Sequence, residues 1–264
     1  YNRSSRHYTD LPVFASEADR QALAKHDTEP DIRWNPQMTG EAQDLNSMQA
    51  LAKALACIPD AALPAAERAV DLLWLFNLVG DMHQPCHCAQ LFIANSLPEG
   101  DRGANQIFVF RIKSESRGDM ETDVLHAFWD SLFNDADNSH AAILQRTQSL
   151  LADSILLANS RNLHAATANE PGTWWREGHQ IAARDVYGPL LPRLLKQQAQ
   201  PHPSGGKRPP IVSITLPTAQ LKSYAGNARH IARQRVMLAG LRLAGVLRGL
   251  HQAHLQAGSE APPM

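Results

Sequence analysis

The chain has 264 residues, enough for a single core to bury most of its apolar surface. Its formal net charge is -1 and 44% of its residues are hydrophobic, as in ordinary soluble globular proteins. A near-neutral chain lacks the broad basic surface of proteins that bind nucleic acid mainly through phosphates, so any action on nucleic acid must come from a local site. No apolar run approaches the roughly 18 residues that span a bilayer, which excludes a membrane-spanning segment.

The residue pattern predicts a mainly helical chain, beginning with two adjacent helices. Asn46 is placed to cap a helix through Leu51 and Ala56. Pro64 is placed in the first turn of a second helix. That second helix carries the segment Trp74 to Cys88, which reads WLFNLVGDMHQPCHC.

Proline and glycine mark the breaks after the second helix. Pro85 is expected to end or kink it just before His87. Leu97 to Asn105 (LPEGDRGAN) is predicted to be a turn-rich loop, and Ile107 to Ile112 a short strand or half of a hairpin. A third helix is predicted from about Glu121 to Phe133.

The rest of the chain is predicted to be helical except for one loop. Helical patterns cover about Ala141 to Asn159, Gly172 to Leu195 and Ala219 to Gln256, with Pro201 to Pro210 as an exposed loop. There is no internal repeat and no second composition regime. The sequence therefore predicts one mainly α domain over residues 1–264, with helices packed by their apolar stripes.

Two of the predicted helices carry polar residues one turn apart. Asn77 and Asp81 lie on one face of the second helix, and His126 and Asp130 on one face of the third. Such pairs have Cβ atoms about 5 to 6 Å apart, close enough to bind one ion. His87 would add a third ligand, and two histidines with one carboxylate suit a catalytic zinc. The alternative is that His126 and Asp130 form a surface pair without metal.

The cysteines leave two interpretations open. The chain has three, Cys57, Cys86 and Cys88, so at least one is unpaired. Cys86 and Cys88 are too close for an ordinary disulfide. They could bind zinc as thiolates, although an inert buried role at the helix end is favoured.

Three segments, GDMHQPCH, GDRGAN and LHAFWD, occur in this order. They resemble the S1/P1 nuclease family, whose pattern is close to H-x-x-G-D-x-H-Q-P-L-H, G-G-N and L-H-x-x-W-D. Arg6 to Pro12 (RHYTDLP) resembles the family's early His-aromatic-x-Asp element, and Ala239 to Leu247 (AGLRLAGVL) its closing helix. The resemblance spans nearly the whole chain.

This resemblance implies a single-domain phospholipase C/P1 nuclease-like fold, mainly α with a short β-hairpin. Family members are secreted or periplasmic and hold three zinc ions in a cleft. They cleave single-stranded DNA and RNA at the 3′ oxygen to leave 5′-phosphates, and many are 3′-nucleotidases. We therefore expect single-stranded nucleic acid or nucleotides as substrates and a monomeric protein.

The resemblance also assigns metal ligands. By position, one zinc would be held by His87, His126 and Asp130. The other two would share Asp81, the expected catalytic carboxylate, with His7 as a further ligand of one of them.

The substrate residues follow in the same way. Tyr8 stands where the family stacks an aromatic ring on a base, although alone it would be read as a core aromatic. Asp10 would accept hydrogen bonds from the base edge, and Asn105 would contact the scissile group. Ala104 is a mild departure from the Gly-Gly-Asn pattern, and His83 is expected to orient a ligand or to be structural.

Two departures limit the expected metal content. Asn77 replaces a zinc-binding histidine of the family, and an amide oxygen is a weaker zinc ligand than imidazole. The chain begins at Tyr1, after the family's amino-terminal metal-binding segment, so an upstream segment is expected to be removed or missing. We therefore expect one complete zinc site. The alternatives are a zinc phospholipase C-like enzyme and a family-derived zinc-binding domain without turnover.

Overall fold

The computed structural model describes residues 4–36, 38, 45–112, 120–132, 139–167, 170–198, 200–201, 212–215 and 218–259. Helices dominate these residues, which confirms the mainly α fold class. The loop predicted from Pro201 to Pro210 lies, from residue 202 onward, outside the described residues. The single domain over residues 1–264 stays a prediction.

Helices and strands alternate irregularly along the chain. The helices are α1 Glu17–Ala22, α2 Ser47–Cys57, α3 Ala65–Asp81, α4 Leu125–Ser131, α5 His140–Ala152, α6 Ser154–Thr167, α7 Pro171–Ile181, α8 Leu190–Gln198 and α9 Thr218–Ser259. The strands are β1 Leu11–Phe14, β2 Ala89–Phe92, β3 Ile107–Ile112, β4 Met120–Val124, β5 Gln200–Pro201 and β6 Val212–Thr215. None of the described helices is long and apolar enough to cross a membrane.

The starts of α2 and α3 follow the sequence signals. Asn46 caps α2 through a capping box, in which its side chain accepts from Gln49 N at 3.0 Å and its own N–H donates to Gln49 Oε1 at 3.1 Å. Pro64 lies immediately before α3. The two helices pack together, and Lys53 of α2 binds the buried Asp71 of α3 at 2.7 Å. Both predicted helices are confirmed.

The end of α3 leads into the first sheet. The helix ends at Asp81, and a 3₁₀ turn over Pro85–His87 connects it to β2, as expected from Pro85. β2 pairs in parallel with β1, with Leu11 opposite Ala89. This pairing, which the sequence did not predict, brings the residues before β1 to the end of α3.

The second sheet has the strand order β4-β3-β6-β5. β3 and β4 form the expected antiparallel hairpin, whereas β5 and β6 were not predicted. The prediction of a third helix from Glu121 is wrong at its start, because residues 120–124 pair with β3 and α4 begins at Leu125. Pairing in the hairpin satisfies the backbone hydrogen bonds that a longer helix would have made. Phe133 lies outside the described residues.

Two later helical patterns are each interrupted. Asp153 separates α5 from α6, and its carboxylate accepts from Leu156 N at 3.0 Å. A π-helical segment over Ala182–Tyr187 follows α7, and Gly188 separates it from α8 with a φ of 48°. The long pattern from Ala219 to Gln256 is confirmed as the 42-residue α9.

The end of α3 and the turn that follows it lie between two apolar cores. Cys86 belongs to the core of β2, β3, α4 and the π-helical segment. Met82 and Cys88 belong to the core of α2, α3 and α7. A segment held by both cores is well placed to present rigid side chains.

Candidate metal centre

His87, His126 and Asp130 lie together, with one potential ligand atom from each within 4.8 Å of the others. His87 Nε2 is 4.0 Å from Asp130 Oδ1, and His126 Nε2 is 3.5 Å from Asp130 Oδ2. The two imidazoles are 14% exposed and the carboxylate 51% exposed. The group is therefore fixed on the protein side and open on the other, as a catalytic metal site requires.

Both imidazoles are oriented by backbone carbonyls. His87 Nδ1 is 2.6 Å from the carbonyl oxygen of His7, and His126 Nδ1 is 2.6 Å from that of Gly103. A carbonyl can only accept, so each Nδ1 carries the proton and each Nε2 offers its lone pair to a ligand. Burial lowers the pKa of His87, which favours the neutral ring that binds metal. This donor set fits a zinc ion.

Asp130 has a protein partner of its own. Gln84 Nε2 donates to Asp130 Oδ1 at 2.9 Å, which ties the carboxylate of α4 to the turn after α3. Gln84 was not singled out from the sequence, although it lies within the quoted HQP segment. Hydrogen bonds to a ligating carboxylate hold its orientation.

The loop before β3 shapes the wall around His126. Four of its residues, Gly100, Arg102, Gly103 and Ala104, have left-handed backbones with φ between 56° and 79°. A Cβ at Gly103 would lie 2.3 Å from the carbonyl oxygen of Cys86, so only glycine fits there. Ala104 has a φ of 67°, a conformation that favours glycine. The departure from Gly-Gly-Asn therefore places backbone strain at this residue.

Asp101 fixes this loop from inside. It is fully buried, and Oδ1 accepts from Leu91 N at 2.9 Å and from the Tyr187 hydroxyl at 3.1 Å. Burial raises the pKa of Asp101 to about 7. Asp101 was not predicted from the sequence, although a carboxylate between two loop glycines was an available signal.

Asp81 and His7 form a second, smaller group. His7 Nδ1 is 2.9 Å from Asp81 Oδ2, and the carboxylate is 16% exposed. Burial raises the pKa of Asp81, while the nearby His87 and His7 oppose that shift. His7 is the last residue of a 3₁₀ turn over Ser4–His7, and the β1–β2 pairing brings it close to Asp81. Two ligands are half of a four-coordinate site.

Asn77 is exposed one turn before Asp81 on α3. The outer face of α3 around it is also exposed: Leu73 is 70% accessible, and beyond the nearby helix backbone no described atom lies within 4 Å of a Cβ built on Gly80. The amide could supply an oxygen to an ion beside Asp81. It cannot supply the imidazole that the family pattern has at this position.

The predicted substrate residues share one cleft with the metal group. The cleft has a volume of about 930 Å³. The sequence-predicted residues that line it are His7, Tyr8, Asp10, His87, Asn105 and His126. Tyr8 is 46% exposed, so it is not a core aromatic. Their roles toward a substrate stay predictions.

Asp10 and Asn105 differ in their surroundings. Burial, and then the neighbouring Asp101, raise the pKa of Asp10 well above its usual range. One of its oxygens is buried without a hydrogen-bond partner among the described residues. Asn105 is exposed, and its Nδ2 donates to the carbonyl oxygen of Arg102 at 2.9 Å. Asp10 thus lines the cleft while one of its oxygens is buried behind the cleft surface.

His83 has a structural position. It is buried, with Nδ1 2.7 Å from the carbonyl oxygen of Val79 and Nε2 3.0 Å from Arg242 Nη1. Its contacts lie in the interior between α3 and α9, which agrees with the structural alternative. The metal-binding group found among the described residues does not include it.

The cysteines favour the inert interpretation. Cys86 and Cys88 are buried free thiols, and burial raises the pKa of Cys88 to about 12. Cys88 packs against α7, where a Cβ at Gly178 would lie 2.4 Å from its sulfur. A thiol held protonated in this way is a poor zinc ligand.

A mainly helical protein with two histidines and a carboxylate open to a cleft belongs to the class that can hold a catalytic metal ion. The S1/P1 Nuclease family model matches residues 2–252, so the chain belongs to the S1/P1 nuclease family. This confirms the resemblance seen in the sequence. Members of this family are zinc-dependent hydrolases that act on phosphodiester bonds. No match was found among curated proteins.

Proposed function

We propose that this protein is a zinc-dependent enzyme that hydrolyses phosphoester bonds at the 3′ oxygen, leaving 5′-phosphates from single-stranded DNA and RNA and releasing inorganic phosphate from 3′-nucleotides. The observation that carries the proposal is the placement of the metal group at the cleft that Tyr8, Asp10 and Asn105 line. Family membership supports phosphodiester chemistry, and these three residues support a nucleotide as the ligand.

His87, His126 and Asp130 would hold the first zinc. The Nδ1–H groups of the two histidines donate to backbone carbonyls, and Gln84 donates to the Asp130 carboxylate. The ligand atoms are therefore held in position before metal binds. Zinc held by these residues would lower the pKa of a water and would supply positive charge to the phosphoryl group. Asp81 and His7 would hold a further ion together with ligands outside the pair.

Tyr8, Asp10 and Asn105 would bind the nucleotide. The exposed ring of Tyr8 offers a stacking face, which a base can use only when it is unpaired. The carboxylate of Asp10, which lines the cleft, would accept a hydrogen bond from the base edge. Asn105, beside the loop that orients His126, would contact the scissile group. Preference for single strands follows from the stacking contact.

Members of the family are generally extracellular, and we propose that this protein is secreted or periplasmic and acts as a monomer. We also propose that residues 1–264 form one domain.

The test is hydrolysis by the zinc-loaded protein and by His126→Ala, with His251→Ala on the exposed part of α9 as control. We expect cleavage of single-stranded DNA and of 3′-AMP, a loss of at least about 100-fold in His126→Ala, and no change in His251→Ala. Hydrolysis of phosphatidylcholine without cleavage of DNA would instead support a phospholipase C-like enzyme.

The exposed Asn77 favours a second candidate, a family-derived domain that binds zinc without turnover. Asn77→His restores an imidazole one turn before Asp81, where it can join His7 around a second ion. We expect the variant to bind more zinc than the wild type in a metal titration, with higher activity on single-stranded DNA. More zinc without any activity in either protein would support the non-catalytic candidate.

A further inference from the structure

Arg102 lines the same cleft as the metal group and has no role in the function proposed above. It lies in the loop before β3 and has a left-handed backbone, with a φ of 56°. A non-glycine residue in this conformation costs about 1 kcal/mol or more, and such residues cluster at functional sites. Arg102 keeps this left-handed conformation because the loop is fixed on both sides of it, by the buried Asp101 and by the packing of Gly103 against Cys86.

One edge of the Arg102 guanidinium is held by a buried amide. The orientation that satisfies Gln106 has its nitrogen donating to the Gly100 carbonyl at 3.1 Å and its oxygen accepting from Arg102 Nε at 3.2 Å. Gln106 is only 8% exposed. Within the part of the chain that the structure describes, the two terminal nitrogens of Arg102 form no hydrogen bond and can bind a ligand.

No carboxylate of the described part of the chain forms an ion pair with Arg102. This arginine differs from Arg20, Arg33, Arg176 and Arg184, which each bind an acidic side chain. An exposed guanidinium that is oriented but not neutralised can bind an anion without first breaking an ion pair. The anion that arginine binds with two parallel hydrogen bonds is a carboxylate or a phosphate.

Arg102 is close to the metal group along the chain. The next residue, Gly103, provides the carbonyl that orients His126, and the Arg102 carbonyl itself accepts from Asn105. Adjacent Cα atoms are about 3.8 Å apart, so the arginine side chain starts beside the groups that would surround the scissile phosphate. A strand with its scissile phosphate at His87 and His126 would carry its next phosphate along the cleft wall.

We propose that Arg102 binds a non-scissile phosphate of the substrate, next to the one held at the metal group. The protein then binds strands with two or more phosphates more tightly than it binds mononucleotides. This inference rests on the proposed function, since it takes the ligand at the metal group to be a nucleotide.

The test compares wild type with Arg102→Ala, Arg102→Lys and a control, Arg193→Ala, at an exposed residue of α8 that lines a different groove. Both replacements at residue 102 keep a Cβ, so the backbone strain is matched. Binding is measured by fluorescence anisotropy with a short single strand carrying hydrolysis-resistant phosphorothioate linkages, over a series of salt concentrations.

In Arg102→Ala we expect affinity to fall about tenfold and the slope of log K against log salt to become shallower by about 0.7, the value for one phosphate of a single strand. Arg102→Lys should keep the slope, because it keeps the charge, and recover part of the affinity. Arg193→Ala should match the wild type. An unchanged slope in Arg102→Ala would overturn the proposal.

The kcat/KM values on two substrates distinguish binding of a non-scissile phosphate from other roles of Arg102. The loss in kcat/KM should be several-fold larger on a single-stranded oligonucleotide than on 3′-AMP. Equal losses on both would mean that Arg102 acts on the scissile phosphate, and a loss of bound zinc would mean that it only shapes the loop. Either outcome overturns the proposal. If the wild type cleaves neither substrate, the proposed function fails, while the salt slope still decides whether Arg102 binds a phosphate.

Discussion

At the scale of single residues, the orientation of His126 depends on Gly103, a loop position where a larger residue does not fit. Gly103 has a φ of 60°, and its carbonyl oxygen accepts from His126 Nδ1 at 2.6 Å. The close approach of Gly103 to the Cys86 carbonyl joins this loop to the turn that carries His87. One glycine thus supports two of the three expected ligands.

Gly103→Ala should therefore reduce both stability and zinc affinity. The new Cβ would lie 2.3 Å from the Cys86 carbonyl, so the backbone must move and the acceptor of His126 with it. We expect unfolding free energy to fall by about 2 kcal/mol or more and zinc affinity to fall about 10- to 100-fold. Urea unfolding and zinc titration would measure the two effects.

Gly80→Ala is the matched control for that substitution. Gly80 lies in α3, and beyond the neighbouring backbone of α3 no atom of the described residues lies within 4 Å of a Cβ built on it. Alanine there should leave stability unchanged or raise it by up to about 1 kcal/mol. Equal effects of the two substitutions would contradict a steric role for Gly103.

Asp101 should make the stability of the protein depend on pH. Burial raises the pKa of Asp101 to about 7 in the folded state, from an ordinary value of 3.8. Above pH 3.8 the unfolded chain releases this proton while the folded chain retains it, so rising pH favours unfolding until about pH 7. The upper bound on this loss is about 4 kcal/mol.

Asp101→Asn removes that titration. The stability of the wild type relative to the variant should be highest near pH 4 and should fall as the pH rises to about 7, then stay level. Urea unfolding of both proteins across this range measures the difference. A difference that stays constant with pH would show that Asp101 is not held protonated by burial.

At the scale of secondary structure elements, α9 is joined to α3 and α7 by a buried network of charges. Glu177 of α7 accepts from Arg235 Nη1 at 2.9 Å and from Arg242 Nη1 at 2.7 Å. Burial alone would raise the pKa of Glu177, but the bonds from the two arginines overcome it and lower that pKa. Arg242 also contacts His83, and Arg235 donates to its carbonyl oxygen, so the network supports the end of α3 from inside.

Glu177→Ala should destabilise the protein by about 3 to 5 kcal/mol, because it leaves two buried guanidinium groups without their carboxylate. Glu99→Ala is the control, since Glu99 is 73% exposed and pairs with Lys25 at the surface. That change should cost less than about 1 kcal/mol. Thermal unfolding would separate the two, and a loss below 1 kcal/mol in Glu177→Ala would contradict the role of the network.

Elements with a strong local signal were predictable from the sequence, and those built by distant pairing were not. The capped α2, the apolar α3 and the 42-residue α9 each carry their own periodic pattern. β1 has four residues, and its backbone is satisfied by β2, more than 70 residues later in the chain. The predicted start of α4 was wrong for the same reason, because residues 120–124 pair with β3.

At the scale of the whole molecule, the metal group joins two cores. His87 follows α3, His126 and Asp130 lie on α4, and the segment between Met82 and Cys88 contributes to both cores. An ion bound by His87 and the α4 residues would therefore connect the two halves of the fold. Metal that binds the folded state and not the unfolded state must stabilise it.

Zinc should accordingly raise the Tm of the wild type. A free concentration 100 times the Kd adds about 2.7 kcal/mol, which corresponds to roughly 5 to 10 °C for a chain of this size. The rise should disappear in His126→Ala and persist in His251→Ala. Calorimetry with and without zinc provides the measurement, and an equal rise in all three proteins would place the stabilising ion elsewhere.

The helical fold class, the family and the three side chains that could share one metal ion were predictable from the sequence, because they follow from residue types in local motifs. The tertiary structure was needed to show how His7 reaches Asp81, that the carbonyls of His7 and Gly103 orient the two imidazoles, and that Gln106 holds the Arg102 guanidinium. The contact of His7 with Asp81 and the orientation of the imidazoles depend on strand pairing and loop conformations that bring together residues far apart in the chain. The third depends on the left-handed turn of one loop, which places its side chains independently of any repeating pattern.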